Sequence, residues 1–187
     1  MASSALAQDK QKLFDIIKKN GFFKEKIILS SGKESDYYID ARRVTLMAEG
    51  AYLCAKLILE LVKNDKFDAI GGPTLGADPF LGALGVLSYQ AGKPVNTFIV
   101  RKAPKAHGKQ QQVEGPLLPG GARVILVDDV ATTGKAFLES IDVLTKMGIK
   151  PTKAVCIVDR SEGAREALAQ KGCELVSIFT ANDFLKT

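Results

Sequence analysis

The chain has 187 residues, of which 46% are hydrophobic and 25% are charged, the proportions of an ordinary globular protein. This composition excludes a disordered chain, a collagen and a disulfide-rich scaffold. A chain of this length buries roughly 70% of the surface that its unfolded form exposes, which is enough for one large core. We therefore expect one domain over residues 1–187, with residues 1–45 as a small N-terminal appendage.

The cysteines and the apolar segments indicate the compartment. Cys54, Cys156 and Cys173 are odd in number and far apart, which favours neither a disulfide framework nor a zinc site. The most apolar stretch, residues 75–92, is interrupted by an aspartate, a proline and four glycines, so it lacks the apolar length of a membrane span. The first ten residues carry no signal pattern. We expect a cytoplasmic protein that does not associate with a membrane.

The first 45 residues predict a helix and two short strands. Apolar residues at helical spacing over 8–20 end at Asn20-Gly21, the expected kind of helix end. Segments 26–29 and 37–40 have strand character on either side of a turn-rich stretch. We predict that they pair as a small hairpin outside the main sheet.

From residue 46 onward, helical and strand patterns alternate. The predicted helices are 46–64, 76–90, 135–147 and 163–170, and the predicted strands are 67–70, 95–100, 124–127, 154–158 and 175–179, with a possible short strand within 111–114. Strands rich in β-branched residues that alternate with helices predict an α/β fold, a mostly parallel sheet with helices on both faces.

The excess of basic residues, 26 against 21 acidic ones, is concentrated in one segment. Arg101, Lys102, Lys105 and Lys109 lie within nine residues around His107, the only histidine. They belong to a gap between strands, residues 101–122, that contains four glycines and three prolines. Long connections in compact domains are usually lids or disordered insertions, and clustered positive charge favours a lid over an anion. The same excess of charge is also compatible with a nucleic-acid surface.

The sharpest motif follows the strand 124–127. Two adjacent carboxylates, Asp128 and Asp129, precede small and hydroxylated residues that lead into a helix. Ligands of open α/β folds bind at the carboxyl ends of the strands, and the free N–H groups of a helix start, with Thr132 and Thr133, suit a phosphate. The carboxylates would repel that phosphate, so they face sugar hydroxyls or a metal ion. A phosphorylated sugar satisfies both halves of the motif.

Two other phosphate motifs do not fit. A Walker A loop requires glycine five positions before Gly134, where Asp129 stands, and a hydroxyl residue where Ala136 stands. A dinucleotide fingerprint over residues 71–76 requires glycine at Pro73.

The segment Asp128 to Gly134 resembles the phosphoribosyl-diphosphate binding motif of the type I phosphoribosyltransferases. Further segments, in the same order along nearly the whole chain, resemble the branch of that family that acts on orotate; they are residues 31–40, 71–79, 101–108 and 158–160. The resemblance implies the type I phosphoribosyltransferase fold, with a small N-terminal hood and a long flexible lid loop over 101–122. It also implies transfer of phosphoribosyl to orotate.

The resemblance implies a role for each matching residue. Asp128 and Asp129 would bind the ribose hydroxyls. The loop that follows would contact the substrate through Val130, Ala131, Thr132, Thr133, Gly134 and Lys135. The residues from Ala131 onward would bind its 5-phosphate. Residues 71–74, among them Gly72, Pro73 and Thr74, would form the turn that meets the diphosphate.

The resemblance further implies that the lid carries catalytic groups. Arg101, Lys102, Lys105 and His107 would close over the diphosphate, alongside Asp129 at the sugar. Mg²⁺ is the implied cofactor, bound mainly through the substrate and without a protein cage. The implied assembly is a homodimer in which the lid of one subunit reaches the sugar site of the other, with no nucleic-acid partner.

The base side of the site follows from the same resemblance. Arg160 would face the orotate carboxylate, with Thr132 also contacting the base and Tyr37 and Tyr38 covering it. Many family members have lysine at the positions of Ser30 and Gly76, and Lys33 is a candidate replacement.

Two alternatives remain open from the sequence. The first is a transferase of the same superfamily that acts on a purine base. The second is a regulator that binds the phosphoribosyl ligand and controls nucleic-acid binding. Ala106, which stands where some members have an acidic residue beside His107, leaves proton transfer by that histidine undecided.

Overall fold

The computed structural model describes residues 2–28, 34–104 and 111–186 of the chain. Within these ranges no helix is both long enough and apolar enough to cross a membrane.

A six-stranded sheet forms the centre of the molecule. Its strands are β5 (Ala69–Pro73), β6 (Asn96–Val100), β7 (Val113–Glu114), β8 (Val124–Ala131), β9 (Lys153–Asp159) and β10 (Glu174–Thr180). Their order in space is β10-β9-β8-β5-β6-β7, and every neighbouring pair is parallel except β6 and β7. The strand suspected within 111–114 is therefore present, and its antiparallel pairing with β6 brings the chain back beside the sheet after the lid.

Helices cover both faces of this sheet, as the sequence predicts. They are α1 (Ala2–Asn20), α2 (Arg42–Thr45), α3 (Ala48–Leu61), α4 (Asp78–Gln90), α5 (Lys135–Lys146), α6 (Ala164–Gln170) and α7 (Ala181–Leu185). One core cluster contains buried side chains of α1, α3, α4 and α7, and the other contains those of α5 and α6. Alternate residues of β8 supply the two clusters, with Ile125 and Val127 in the first and Val124 and Leu126 in the second, because successive side chains of a strand point to opposite faces.

The predicted N-terminal hairpin is wrong in its pairing. Segment 26–29 contains β2 (Ile27–Ile28), which pairs with β3 (Glu34–Ser35), whereas β4 (Tyr38–Ile39) pairs with β1 (Phe22–Phe23). The pairing is set by tertiary packing, since the Phe22 ring lies against Tyr37 and Phe184. A two-residue strand is too short to leave a periodic pattern in the sequence.

Several element boundaries also differ from the prediction. The helix predicted over 46–64 is shortened to α3, Ala48–Leu61, and Met47, in an extended conformation, separates it from the unpredicted short helix α2. The strand predicted over 67–70 is shifted to Ala69–Pro73, so the glycines predicted to form a turn lie inside it. The strand predicted over 124–127 continues to Ala131. The first helix begins at Ala2 rather than at residue 8, and α7 had no predicted counterpart.

The strand order reverses at one place in the sheet. From β5 the chain proceeds outward to β6, and it then returns to the other side of β5 to form β8, β9 and β10. The crevice outside the carboxyl ends of β5 and β8 is thus the topological switch point, where open α/β sheets bind ligands. The Asp128-Asp129 motif and the segment after Pro73 both lie at this crevice.

The C-terminal helix is tied to the core by one aromatic side chain. Phe184 is fully buried, and its ring centroid lies 4.7 Å from that of Phe14, 5.7 Å from Phe22 and 5.6 Å from Phe179. We predict that Phe184→Ala lowers the free energy of unfolding by about 3–5 kcal/mol, because it removes a large buried ring and leaves a cavity.

Urea denaturation measures this change. Leu185→Ala, which truncates the neighbouring and partly exposed side chain, is the control and should change the free energy by less than about 0.5 kcal/mol. Equal effects of the two substitutions would show that α7 is not anchored through Phe184.

Candidate active site

A cavity of about 770 Å³ opens at the switch point. The predicted site residues on its lining are Pro73, Arg101, Lys102, Asp128, Val130, Thr132, Thr133, Gly134 and Lys135. They come from the ends of β5, β6 and β8 and from the start of α5. The fold therefore brings residues that are more than 60 positions apart in the chain to one concave surface of the size used for small ligands.

The two carboxylates lie inside the end of β8. Beyond Leu126 the strand no longer pairs with β5, but it stays paired with β9, where Asp128 lies opposite Cys156. The Asp129 N–H donates to Asp128 Oδ1 at 2.9 Å, and the Val130 N–H donates to Asp129 Oδ1 at 2.7 Å. Each carboxylate is therefore held by the N–H of the following residue.

Burial makes ionisation of these two carboxyl groups energetically unfavourable. Asp128 is only 5% exposed, and burial, with the nearby charge of Asp129, raises its pKa well above the ordinary value. Burial also raises the pKa of Asp129, although the Val130 N–H and Arg42 oppose that shift. Two ionised carboxylates in this position attract hydroxyl donors or a cation.

Gly76 touches this pair. A Cβ atom at this position would collide with the Oδ1 atoms of both Asp128 and Asp129. The carboxylates therefore occupy the space that a side chain at residue 76 would need.

The loop after β8 is shaped as an anion site. Gly134 has φ +78°, a left-handed conformation that glycine adopts readily, and α5 begins at the next residue, Lys135. No side chain caps this helix start, so backbone N–H groups of its first turn are available to a ligand. Thr132 is half-buried and Thr133 is exposed beside them.

Of the predicted turn at residues 71–74, residues 71–73 are instead the buried end of β5. A Cβ atom at Gly72 would collide with the carbonyl oxygen of Val127, so the glycine permits close approach between β5 and β8. Pro73 ends the strand on the cavity lining. Thr74 follows it and donates its hydroxyl to Asp78 Oδ2 at 2.7 Å.

The described part of the lid begins and ends on the edge of the sheet. Arg101 N–H donates to the Gln112 carbonyl at 2.8 Å, and its guanidinium lies 3.4 Å from Glu114. The Gln112 side-chain amide donates to the carbonyls of Arg101 and Lys102. Both cations are exposed. Lys105 and His107, the other basic residues predicted to act in the lid, lie outside the described ranges, as does Lys33.

Arg160 and Tyr37 form a second group next to this cavity. The Arg160 N–H donates to the carbonyl of Ala131 at 2.8 Å, which places Arg160 directly beside the loop that follows β8. Its side chain is 3% exposed, and its Cζ lies 4.4 Å from the centroid of the Tyr37 ring. Tyr38 points elsewhere and stacks on Phe23. The structure therefore joins only one of the two tyrosines to Arg160.

Several residues that contact the predicted site residues were not themselves predicted. Ser35 and Glu162 hydrogen-bond the Arg160 guanidinium, Gln112 and Glu114 hold Arg101, and Asp78 holds Thr74. Glu162 and Asp78 are local to the residues that they contact, two positions after Arg160 and four positions after Thr74. Ser35, Gln112 and Glu114 are far in sequence from the arginines that they contact.

Comparison with known proteins agrees with this arrangement. Residues 45–181 match the phosphoribosyl transferase domain. The orotate phosphoribosyltransferase of Aquifex aeolicus is 40% identical over 96% of this chain and 100% of its own length. The crystal structure of Mycobacterium tuberculosis orotate phosphoribosyltransferase with Fe(III) dicitrate superposes with a TM-score of 0.81 at 35% identity, covering 94% of this chain and 98% of that one.

A further structure of the M. tuberculosis enzyme, in complex with 5-phospho-α-D-ribosyl 1-diphosphate, has a TM-score of 0.78 at 31% identity, with 94% and 98% coverage. The parallel sheet, its switch point and the acidic motif thus define a type I phosphoribosyltransferase. Within that class, the chain belongs to the orotate phosphoribosyltransferase family.

The buried acids generate a prediction for stability and activity together. A carboxyl whose pKa is raised in the folded state destabilises the fold as the pH rises above the ordinary aspartate value of about 4. Asp128→Asn retains an acceptor for the Asp129 N–H and removes the charge. We expect the variant to be at least about 1 kcal/mol more stable than the unsubstituted chain at pH 7.5, with the difference shrinking towards pH 4. Activity should fall at least about 100-fold.

Urea denaturation at the two pH values, with a steady-state assay, measures both effects. Asp15→Asn, which neutralises an exposed acid on α1, should change neither quantity. A stability difference that is the same at pH 4 and pH 7.5 would contradict the assignment of a buried ionised carboxylate.

Proposed function

We propose that this protein transfers the phosphoribosyl group of 5-phosphoribosyl 1-diphosphate to orotate, giving orotidine 5-phosphate and diphosphate in the synthesis of UMP. The observation that carries this proposal is the switch-point cavity, where the buried Asp128 and an uncapped helix start lie side by side, with the half-buried Asp129 next to Asp128 in the strand. Membership of the orotate phosphoribosyltransferase family agrees with it.

In the proposed reaction, N1 of orotate forms a bond to ribose carbon 1. The bond from that carbon to the diphosphate oxygen breaks, and diphosphate leaves with the electron pair. The proton of N1 is lost. Positive charge develops on the sugar and negative charge on the leaving group, so catalysis requires fixed groups of both signs around carbon 1.

The sugar half of the substrate is assigned to β8 and the loop after it. Asp128 and Asp129 accept hydrogen bonds from the ribose hydroxyls. The N–H groups from Ala131 to Lys135 and the two threonine hydroxyls bind the 5-phosphate. The separation supports this division, since the carboxylates are held at the end of the strand while the anion site begins at Gly134.

The diphosphate half is assigned to the opposite wall of the cavity. Gly72, Pro73 and Thr74 bring the end of β5 against it, and Arg101 and Lys102 present exposed cations to it. Lys105 and His107 complete the lid in this proposal. Charge stabilisation of this kind typically contributes about 3–4 kcal/mol for each group, and a closed lid would keep water from the reactive sugar.

Magnesium is the proposed cofactor. The residues present fit it, because a buried carboxylate pair with raised pKa values gains from a nearby cation. Among the described residues no group of three or more histidine, cysteine, aspartate or glutamate side chains is arranged to enclose a metal ion. When bound to the diphosphate and ribose oxygens, the ion would neutralise charge on the leaving group. Asp128 and Asp129 would face it through the ribose.

The base is assigned to Arg160 and the hood. Arg160 pairs with the orotate carboxylate, Thr132 contacts the base, and Tyr37, Tyr38 and Lys33 cover it. Support comes from the position of Arg160 beside Ala131 and beneath the Tyr37 ring. A guanidinium suits a carboxylate because it presents paired N–H donors in a plane.

The purine transferase and the nucleic-acid regulator are the alternatives. A buried arginine next to the sugar site favours an acidic base over a purine. Arg101 and Lys102 are exposed cations at the start of the lid and line the cavity, which favours an anionic small substrate over nucleic acid.

A base screen tests the proposed function. Purified protein with 5-phosphoribosyl 1-diphosphate and Mg²⁺ should release diphosphate with orotate at least about 100-fold faster than with uracil, adenine or hypoxanthine. The expected preference arises because a site built around a buried charged donor rejects ligands that leave it unpaired. Release with adenine or hypoxanthine and not with orotate would replace this function with a purine activity. Binding of the sugar diphosphate without turnover of any base would favour the regulator.

We also propose that the enzyme is a homodimer in which Lys105 and His107 of one subunit reach the sugar site of the other. Exposed apolar side chains on the side of α3 and α4 support a protein contact there, among them Leu46, Tyr52, Val86 and Tyr89. The lid begins at the edge of the sheet, next to the cavity.

Mixing two inactive variants tests the shared site. Lys105→Ala and Asp129→Asn proteins, each nearly inactive, form mixed dimers in which one site carries both lesions and the other carries none. Random pairing makes half of the dimers mixed, so activity should recover to roughly a quarter of the unsubstituted level. Mass-tagged chains verify subunit exchange. No recovery after verified exchange would place each lid over its own subunit.

A cytoplasmic location is proposed as well. Cys54, Cys156 and Cys173 are all free and buried, and burial raises the pKa of the Cys173 thiol to about 11. Such thiols are unreactive fillers of a core.

A further inference from the structure

The guanidinium of Arg160 is fixed on three sides. Its Nε donates to Glu162 Oε1 at 2.8 Å, and its Nη2 donates to Ser35 Oγ at 3.1 Å. The Tyr37 ring lies over its plane, with the centroid 4.4 Å from Cζ. With a side chain only 3% exposed, this arginine has little freedom to adopt another rotamer.

The contacts leave one end of the guanidinium for a ligand. An arginine has five N–H donors, and the contacts of the described residues occupy the Nε hydrogen and one at Nη2. The Nη1 amino group and the second Nη2 hydrogen have no hydrogen-bond partner among the described residues. Two parallel donors of this kind match the two oxygens of a carboxylate.

Glu162 reaches back to Arg160 through a constrained turn. The residue between them, Ser161, has φ +58°, an uncommon conformation for a residue other than glycine. Its N–H donates to Asp159 Oδ1 at 2.8 Å, and the other oxygen of Asp159 accepts from Arg165 Nε at 2.7 Å. The fully buried Asp159 thus holds the turn that directs Glu162 onto the guanidinium. Backbone outliers of this type cluster at functional sites.

The glutamate contributes charge as well as position. Its side chain is 25% exposed, so the ion pair is only partly screened by water. Without this partner, the buried guanidinium would keep one hydrogen bond, to Ser35, and its Nε end would be free to turn. A ligand carboxylate would then have to fix the guanidinium as it binds, which lowers affinity.

We propose that Glu162 is a positioning residue for base selection, because it holds Arg160 with its Nη1 and Nη2 donors directed at the carboxylate of the base. This inference rests on the proposed function, since it takes that carboxylate to be the one on orotate. Glu162 acts through Arg160 and makes no contact with the base in this proposal.

The test compares Glu162→Gln with Glu166→Gln. Both remove one negative charge within the same segment, but Glu166 is exposed on the first turn of α6. Glu162→Gln should raise KM for orotate at least about fivefold while KM for 5-phosphoribosyl 1-diphosphate changes less than about twofold. Glu166→Gln should leave both constants within about twofold.

Binding measured by calorimetry gives a readout apart from turnover. Orotidine 5-phosphate carries the base carboxylate and UMP lacks it, so the two ligands differ only in the group that Arg160 is assigned to bind. Glu162→Gln should weaken the binding of orotidine 5-phosphate at least about fivefold and the binding of UMP less than about twofold. In an Arg160→Gln background, Glu162→Gln should have no further effect on either ligand, because the residue through which it acts is gone.

The outcomes separate the two proposals. If the unsubstituted protein does not turn over orotate, the proposed function fails. If it does, two results would overturn the positioning role. One is that Glu162→Gln weakens the binding of orotidine 5-phosphate and of UMP equally. The other is that Glu162→Gln has the same effect on binding in the Arg160→Gln background as in the unsubstituted protein. Should Glu162→Gln fail to fold in a thermal unfolding assay, Glu162→Asp replaces it. The shorter acid keeps the charge, and the same selective loss of the carboxylate ligand is then required.

Discussion

The burial of two adjacent carboxylates at the end of the central strand is the constraint on which the rest of this structure depends. Taking Asp128 and Asp129 out of water raises the pKa of both, and their mutual repulsion adds to the shift of Asp128. A fold tolerates such a cost when function requires it. Here both carboxylates are held by backbone N–H groups and Asp128 lines a cavity, so the pair is preorganised to accept hydrogen bonds from a polar ligand. The anion site at Gly134 is placed next to them by the same strand.

The neighbouring strand makes this arrangement sterically possible. Gly72 lets β5 approach the Val127 carbonyl, and Gly76 leaves room for the carboxylates themselves. A side chain at either position would collide with β8. Close approach also brings Pro73 to the cavity, which sets the wall assigned to the diphosphate against the wall assigned to the sugar. The glycines thus permit the close approach of the end of β5 to the end of β8.

The base side of the site is connected to the C-terminus through a series of aromatic contacts. Phe184 packs on Phe22, Phe22 on Tyr37, and Tyr37 on the guanidinium of Arg160. The hood therefore rests on α7 through one ring and on Arg160 through another. This packing explains why β4 pairs with β1, although the sequence predicted that it pairs with the segment that contains β2. A substitution at Phe184 therefore acts on the packing beneath Tyr37, although Phe184 lies near the other end of the chain.

The sequence by itself determined the α/β class, the alternation of strands and helices, and the acid pair with its phosphate loop. It could do so because apolar periodicity and the order of residues around Asp128 to Gly134 are local properties. The tertiary structure alone decided that Asp128 is buried, that residues 71–73 continue a strand, and that Ser35 and Glu162 hold Arg160. These features depend on contacts between segments distant in the chain, or on a turn whose shape is set by the buried Asp159. Neither leaves a periodic signal.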